Sequence, residues 1–231
     1  MNTYIPETEL NATPAELLRI GIETANGPVS LACSFSLEDV VIIDIAQQAG
    51  IKLGFFALDT GRLNEETYEV ADALVERYRL KIDWYFPRHE NVEAVERGKG
   101  MFSFRESLQN RHECCHIRKV EPLSRALNRL NGWVTGMRRE QSVTRNDLKA
   151  IERDELNNGI IKINPLISWD EEQLISYTEE HRLPQNRLYS QGFRSIGCAP
   201  CTRAVQPNEA ARAGRWWWEN PEHKECGLHR R

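Results

Sequence analysis

Short apolar runs alternate with longer stretches of helical periodicity, and this alternation limits the fold more than any other feature of the chain. Val29 to Cys33 is a β-leaning run that breaks into Ser34-Phe35-Ser36, after which LEDVVIIDIAQQAG carries helical spacing to a stop at Gly50. LGFFALD, the turn DTGR, the helical NEETYEVADALVERYRL and the run KIDWYF before Pro87 repeat the pattern. Upstream, Thr13-Pro14-Ala15-Glu16 supplies an N-cap, a proline at the first helical position and a glutamate that reaches back, so a helix starts there and runs toward Gly27. Downstream the sequence predicts a helix over Glu113 to Leu130, a strand in WVTG, a hairpin turning at Asn158-Gly159 and a helix from Asp170 to about Arg182. Strands separated by helices pair in parallel through crossovers, so the expected fold class is α/β, a largely parallel sheet with helices on both faces. Ligands of such sheets bind at the carboxyl ends of the strands, where Ser34–Ser36 and Leu58–Arg62 fall. Residues 1–214 are expected to form a single domain, and 215–231 a mobile C-terminal tail.

Two cysteine pairs far apart in sequence, Cys114-Cys115 and Cys198/Cys201, make a four-thiol set. The second is a CxxC. The first is a tandem pair, and neighbouring helical residues point roughly 100° apart. That splay suits a four-iron cluster, which offers each thiolate its own iron, better than a single tetrahedral zinc. The set reads as an iron-sulfur site first, with zinc and plain buried thiols as the other readings.

The chain has 231 residues, enough for a substantial core, and six cysteines. Its N-terminus shows neither a basic start nor an apolar run, and no stretch reaches the length of a membrane span, so a cytoplasmic location is expected. In a reducing compartment six cysteines point to metal binding or catalysis. A formal net charge of −4 argues against a nucleic-acid surface. Local basic clusters, at Arg111, Arg118 and Lys119, at Arg138, Arg139 and Arg145, at Arg203, Arg212 and Arg215, and at Lys224, Arg230 and Arg231, suggest a small, highly charged anion instead. Ser34-Phe35-Ser36, between a strand and a helix, has the context of an anion-cradling turn, although a plain helix cap explains it as well. No GxxxxGKS or GxGxxG is present. Cys226 stands in HKECGLHRR, where neighbouring cations favour the nucleophilic thiolate, whereas Cys33 sits within the first strand and reads as core.

The stretches CSFSLEDVV, LDTGR with ETY, ECCHIRKVEPL, TGMRREQS, IGCAPCTR, GRWWWE and KECGLH span almost the whole chain. On them it resembles the assimilatory adenylylsulfate reductases, relatives of phosphoadenylylsulfate reductase with the adenine-nucleotide α-hydrolase-like fold. The resemblance implies an enzyme of sulfate assimilation and cysteine biosynthesis that reduces adenylylsulfate to sulfite and AMP. It implies a [4Fe-4S] cluster on Cys114, Cys115, Cys198 and Cys201, and Cys226 as the nucleophile. Ser34, Phe35 and Ser36 then fall on a modified pyrophosphate loop, Leu58 on the backbone that reads adenine, and Gly136 in the turn after a strand. Lys119, Arg212, Arg215 and His229 match residues facing the phosphosulfate, and Arg138, Arg139 and Arg145 a loop that closes over the nucleotide. With four cysteines as ligands and Cys33 buried, no resolving thiol remains. The electrons would come from thioredoxin or a glutaredoxin-like donor. The sequence leaves self-association open.

Rival readings are a preference for phosphoadenylylsulfate or dual specificity, a tRNA-thiolating enzyme of the same fold, and a zinc-binding interaction module. The first is disfavoured because relatives specialised for that substrate generally lack the four cysteines. The second would need an SGGxDS loop where CSFSLED stands.

Overall fold

The computed structural model describes residues 12–141 and 148–220. Arg145, Cys226 and His229 lie outside the described residues. Strands β1 (Val29–Cys33), β2 (Gly54–Leu58), β3 (Asp83–Tyr85), β4 (Gly132–Val134), β5 (Ile151–Asp154) and β6 (Ile160–Ile163) form one sheet of order β3-β2-β1-β4-β6-β5. β1, β4 and β6 run parallel, and β5 returns antiparallel to β6. The expected hairpin is present, turned by Asn158 and Gly159 at φ of 59° and 68°. The connection is longer than a two-residue turn: a 3₁₀ turn, Glu155–Asn157, precedes Asn158 and Gly159, whose left-handed conformation returns the chain to β6.

The chain divides into two interleaved compact units. The first comprises Met1–Phe56, Val70–Asp83 and Leu127–Gln185. Its helix α1 (Pro14–Ala25) opens with the capping box read from the sequence, Thr13 and Glu16 satisfying each other's backbone N–H groups. Gly21 lets α1 approach β6, since a side chain there would meet that of Ile163. Helix α2 (Leu37–Gln48) is buried from Glu38 to Ala46. Such a helix, apolar nearly all round, belongs in an interior. Among these apolar residues Asp44 is 2% exposed. It accepts hydrogen bonds from Tyr78 of α3 (Glu65–Tyr78) at 2.5 Å, Tyr177 of α7 (Glu171–Glu180) at 2.8 Å and Gln48 at 2.6 Å. Burial first, and then the carboxylate, raise both phenol pKa values, and the carboxylate ties three helices to one point.

The second unit comprises Ala57–Glu69, Trp84–Ala126 and Asn186–Arg231. It holds α4 (His89–Lys99), α5 (Leu108–Cys115) and most of α6 (Glu121–Leu127). The helix expected from Glu113 starts earlier, at Leu108 behind a Ser107 side-chain cap, and contains a π-helical turn, His116–Val120. Glu121 N–H bonds back to His116 O, five residues earlier. Helix α4 has no counterpart in the sequence reading, because it is mostly charged, offers only Val92 and Val95 as half-buried branched apolar residues, and fully buries none. The packed chain also continues beyond the expected tail boundary, since Trp216 is 1% exposed.

At the carboxyl end of β1 the backbone turns through Phe35, a buried residue in the left-handed region at φ 61°. The amide of Ser34 at 2.6 Å and its hydroxyl at 2.7 Å both donate to Asp39 Oδ2 in the first turn of α2. A carboxylate at a helix N-terminus is favoured by the dipole, but complete burial dominates here and pushes Asp39 up to about 6.

Two outcomes follow. Asp44→Ala removes the shared acceptor of two half-buried tyrosine hydroxyls, so urea denaturation should show a loss of about 2 kcal/mol. Asp39 holds its proton more tightly folded than unfolded, so its contribution to stability is complete below its ordinary value near 3.8 and lost as the pH rises through about 6. Between pH 4 and 7 the stability of the natural protein should decline relative to Asp39→Asn by on the order of 3 kcal/mol. Parallel stability curves for the two proteins would show that Asp39 is ionised throughout.

Candidate functional site

In the first unit, the turn after β1 and the turn after the neighbouring parallel strand β4 meet. A Cβ on Gly136 would collide with Glu38 and come within 3.0 Å of Asp39 Oδ1, so glycine is what permits this approach. The buried Arg138 donates through Nε to Glu38 Oε1 at 3.1 Å and through Nη1 to Glu140 and to Trp169 O. Gln141 donates to the same Glu38 oxygen at 2.7 Å. Arg139 donates to Leu148 O. The structure therefore brings Ser34, Phe35, Ser36, Gly136 and Arg138 into one constellation. It adds Glu38, Asp39 and Gln141, which the sequence reading passed over. The signal for the first two is an acidic pair opening an otherwise apolar helix, and Gln141 carries none. Ser36 occupies the N-cap position without a side-chain cap bond, its hydroxyl lying 3.3 Å from that of Ser34.

In the second unit the turn DTGR holds the CxxC segment. Asp59 accepts from Gly61 N at 2.7 Å and from Tyr68 OH at 2.9 Å, which fixes the turn just after Leu58. Ala199 N donates to Arg62 O, Asn64 donates to Gly197 O, and Thr60 Oγ1 lies 3.3 Å from Cys198 Sγ. A short 3₁₀ turn, Ala199–Cys201, brings Cys201 N to Cys198 O and so presents both sulfurs from one loop. Cys198, Cys201, Phe104 and Trp216 form one buried cluster, against which Cys114 packs, while Cys115 beside it on α5 is 8% exposed. Among the described residues no three His, Cys, Asp or Glu side chains stand in metal-coordinating geometry.

Cations surround these thiols. Arg118 donates to Thr60 O and to Glu96 Oε1, each at 2.7 Å, and Arg62 pairs with the same Glu96 oxygen. Burial pushes the Cys114 thiol up, while Arg62, Arg118 and Lys119 pull it down. Cys201 is pushed up to about 12, by desolvation first and then by Cys198, against Lys119 and Arg215. Lys119 lies in the π-helical turn directly after the tandem pair, a local irregularity that recurs at functional sites. Arg215 is 7% exposed and donates to Ile196 O, and its Nε is buried without a hydrogen-bond partner. Arg212 precedes it by one turn, its carbonyl accepting from Arg215 N.

Residues 28–204 match the family described as the phosphoadenosine phosphosulfate reductase domain. An adenosine 5'-phosphosulfate reductase of Burkholderia cepacia is 44% identical over 224 residues, covering 97% of this chain and 89% of that protein. One from Allochromatium vinosum is 47% identical over 203 residues, 88% of this chain and 79% of its own length. Among solved structures, a phosphoadenylyl-sulfate reductase from Candida auris, a phosphate complex, superposes with a TM-score of 0.71 at 29% identity, covering 86% of this chain and 93% of that one. An FMN adenylyltransferase of Candida glabrata, at 15% identity and a TM-score of 0.55, shares the fold alone. The chain belongs to the phosphoadenosine phosphosulfate reductase family.

Proposed function

We propose that the protein is a thioredoxin-dependent adenylylsulfate reductase of sulfate assimilation. The observation that carries this reading is the packing of Cys114, from the tandem pair, against the buried cluster that holds Cys198 and Cys201, with Arg62, Arg118 and Lys119 acting on its thiol. The relatives at 44% and 47% identity are named for adenosine 5'-phosphosulfate, which favours that substrate over the 3'-phosphorylated one. No helix among the described residues is long and apolar enough to cross a membrane. A reducing cytoplasm suits six thiols.

The residues fit an iron-sulfur group. Buried thiols with raised pKa values become thiolates only against compensating positive charge, which a metal supplies. The partnerless Arg215 Nε, on a residue whose charge acts on the Cys201 thiol, is the kind of buried donor that a sulfur-rich anionic group would satisfy. Cys114, Cys115, Cys198 and Cys201 would hold a [4Fe-4S] cluster, whose contribution when bound is structural and electrostatic.

The chemistry belongs to the chain. The Cys226 thiolate attacks the sulfur of the sulfuryl group, an S–S bond forms, the S–O bond to phosphate breaks, and AMP leaves with the electron pair. Two anions at 4 Å repel by about 4 kcal/mol at an effective dielectric near 20, so the approach needs local positive charge. Lys119, Arg212, Arg215 and His229 supply it and stabilise the charge on the departing phosphate. Ser34, Phe35, Ser36, Leu58, Gly136, Arg138, Arg139 and Arg145 would bind the nucleotide. One thiolate of thioredoxin then attacks Cys226 Sγ and expels sulfite, and the second thiol of the donor resolves the mixed disulfide.

Substrate without reductant should give one equivalent of AMP and an adduct of about 80 Da on the Cys226 peptide. Cys226→Ser should keep its iron and bind adenylylsulfate but release no sulfite. An adduct on Cys33 would move the nucleophile elsewhere. Cys114→Ser should lose iron and activity together, and full iron content in that variant would remove Cys114 from the ligand set. Sulfite release from each of the two nucleotides side by side decides the substrate.

A further inference from the structure

Glu219 and Arg111 form a bidentate pair, Nε to Oε1 and Nη2 to Oε2, both at 2.9 Å. The Arg111 side chain is 0% exposed and that of Glu219 9%. The guanidinium of Arg111 also lies 4.7 Å from the centroid of the Trp216 ring, as does that of Arg215. Trp216 N–H donates to Cys201 O at 3.1 Å, and Glu219 N–H to Trp216 O at 2.9 Å. Thr202 and Arg215 form an isolated antiparallel bridge. Residues 215–219 are therefore tied to the CxxC segment by backbone bonds. They are tied to α5 by the ion pair, and on α5 Arg111 precedes Cys114 and Cys115 by three and four residues, the spacing of one helix face.

The chemistry described above uses neither Arg111 nor Glu219. A buried ion pair is a poor way to gain stability, since apolar residues of similar volume often serve as well or better. What the two-pronged contact adds is a fixed orientation. Cys226 lies only seven residues beyond Glu219, so its Cα can be no more than ~25 Å from that of Glu219, and the direction in which the chain leaves this anchor limits where the thiol can go.

We propose that the Arg111–Glu219 pair is a positioning device for the terminal nucleophile. It fixes the root of the segment that carries Cys226 to the helix and loop that carry the other cysteines. This inference rests on Cys226 being the nucleophile.

The test uses the iron-loaded full chain with adenylylsulfate and no reductant, comparing Glu219→Gln with the natural protein. Four quantities are read: the rate of the 80 Da adduct on Cys226, the alkylation rate of Cys226 by iodoacetamide, hydrogen exchange of the peptide 214–220, and the affinity for AMP as the nucleotide. In Glu219→Gln, exchange should rise and adduct formation should slow at least tenfold, while alkylation and nucleotide affinity stay within twofold. Adduct formation within twofold of the natural protein overturns the inference and leaves the nucleophile assignment intact. An adduct absent from the natural protein overturns the assignment itself, and with it the inference. Should Glu219→Gln fail to fold, Arg111→Met with Glu219→Met removes both charges. Slowing beyond the loss of folded protein then supports positioning, and slowing in proportion to that loss overturns it.

Discussion

A thiol held away from water at Cys201 does not ionise on its own, because burial and its neighbour Cys198 push it up to about 12. Gathering cysteines in a desolvated cluster is therefore stable only as neutral thiols or beside strong positive charge. The second unit is arranged to supply that charge without leaving it unbalanced. Arg62 and Arg118 share one oxygen of Glu96, and Arg118 also caps the carbonyl of Thr60, so both guanidinium groups are held in place near Cys114. The turn at Asp59, the 3₁₀ turn of the CxxC and the π-helical turn after the tandem pair are the backbone irregularities that this arrangement requires.

The first unit meets a different electrostatic demand. Two carboxylates, Glu38 and Asp39, are buried in the opening turn of α2, one answered by Arg138 and Gln141 and the other by Ser34. The strained φ of Phe35 and the bare Cα of Gly136 allow the turns after β1 and β4 to close on them. Backbone donors that the sequence offered as a free anion cradle are in this state organised by Asp39. Because that carboxyl group titrates near 6, the charge presented by the turn depends on pH within the physiological range.

Much of this was legible in advance, and for local reasons. Periodicity placed β1, α2, β2, α3 and α7, the capping box placed the start of α1, and Asn158-Gly159 placed the hairpin, since each is decided by residues close in sequence. Helix α4 escaped because its mostly charged sequence buries no residue fully, and the π-helical turn escaped because one misplaced hydrogen bond leaves no mark on periodicity. Cys33 as a core residue followed from its place in an apolar strand, and it is 5% exposed.

By itself the sequence determined the α/β class, the family and the identity of the cysteines, because periodicity, motif spacing and residue type are properties of the chain. The tertiary structure decided which charges answer one another. Glu38 finds Arg138 a hundred residues away, and Arg111 finds Glu219 at a separation of 108. No local pattern encodes such pairs. Their partners are chosen by which side chains lose their water together, and that is known only once the chain has packed.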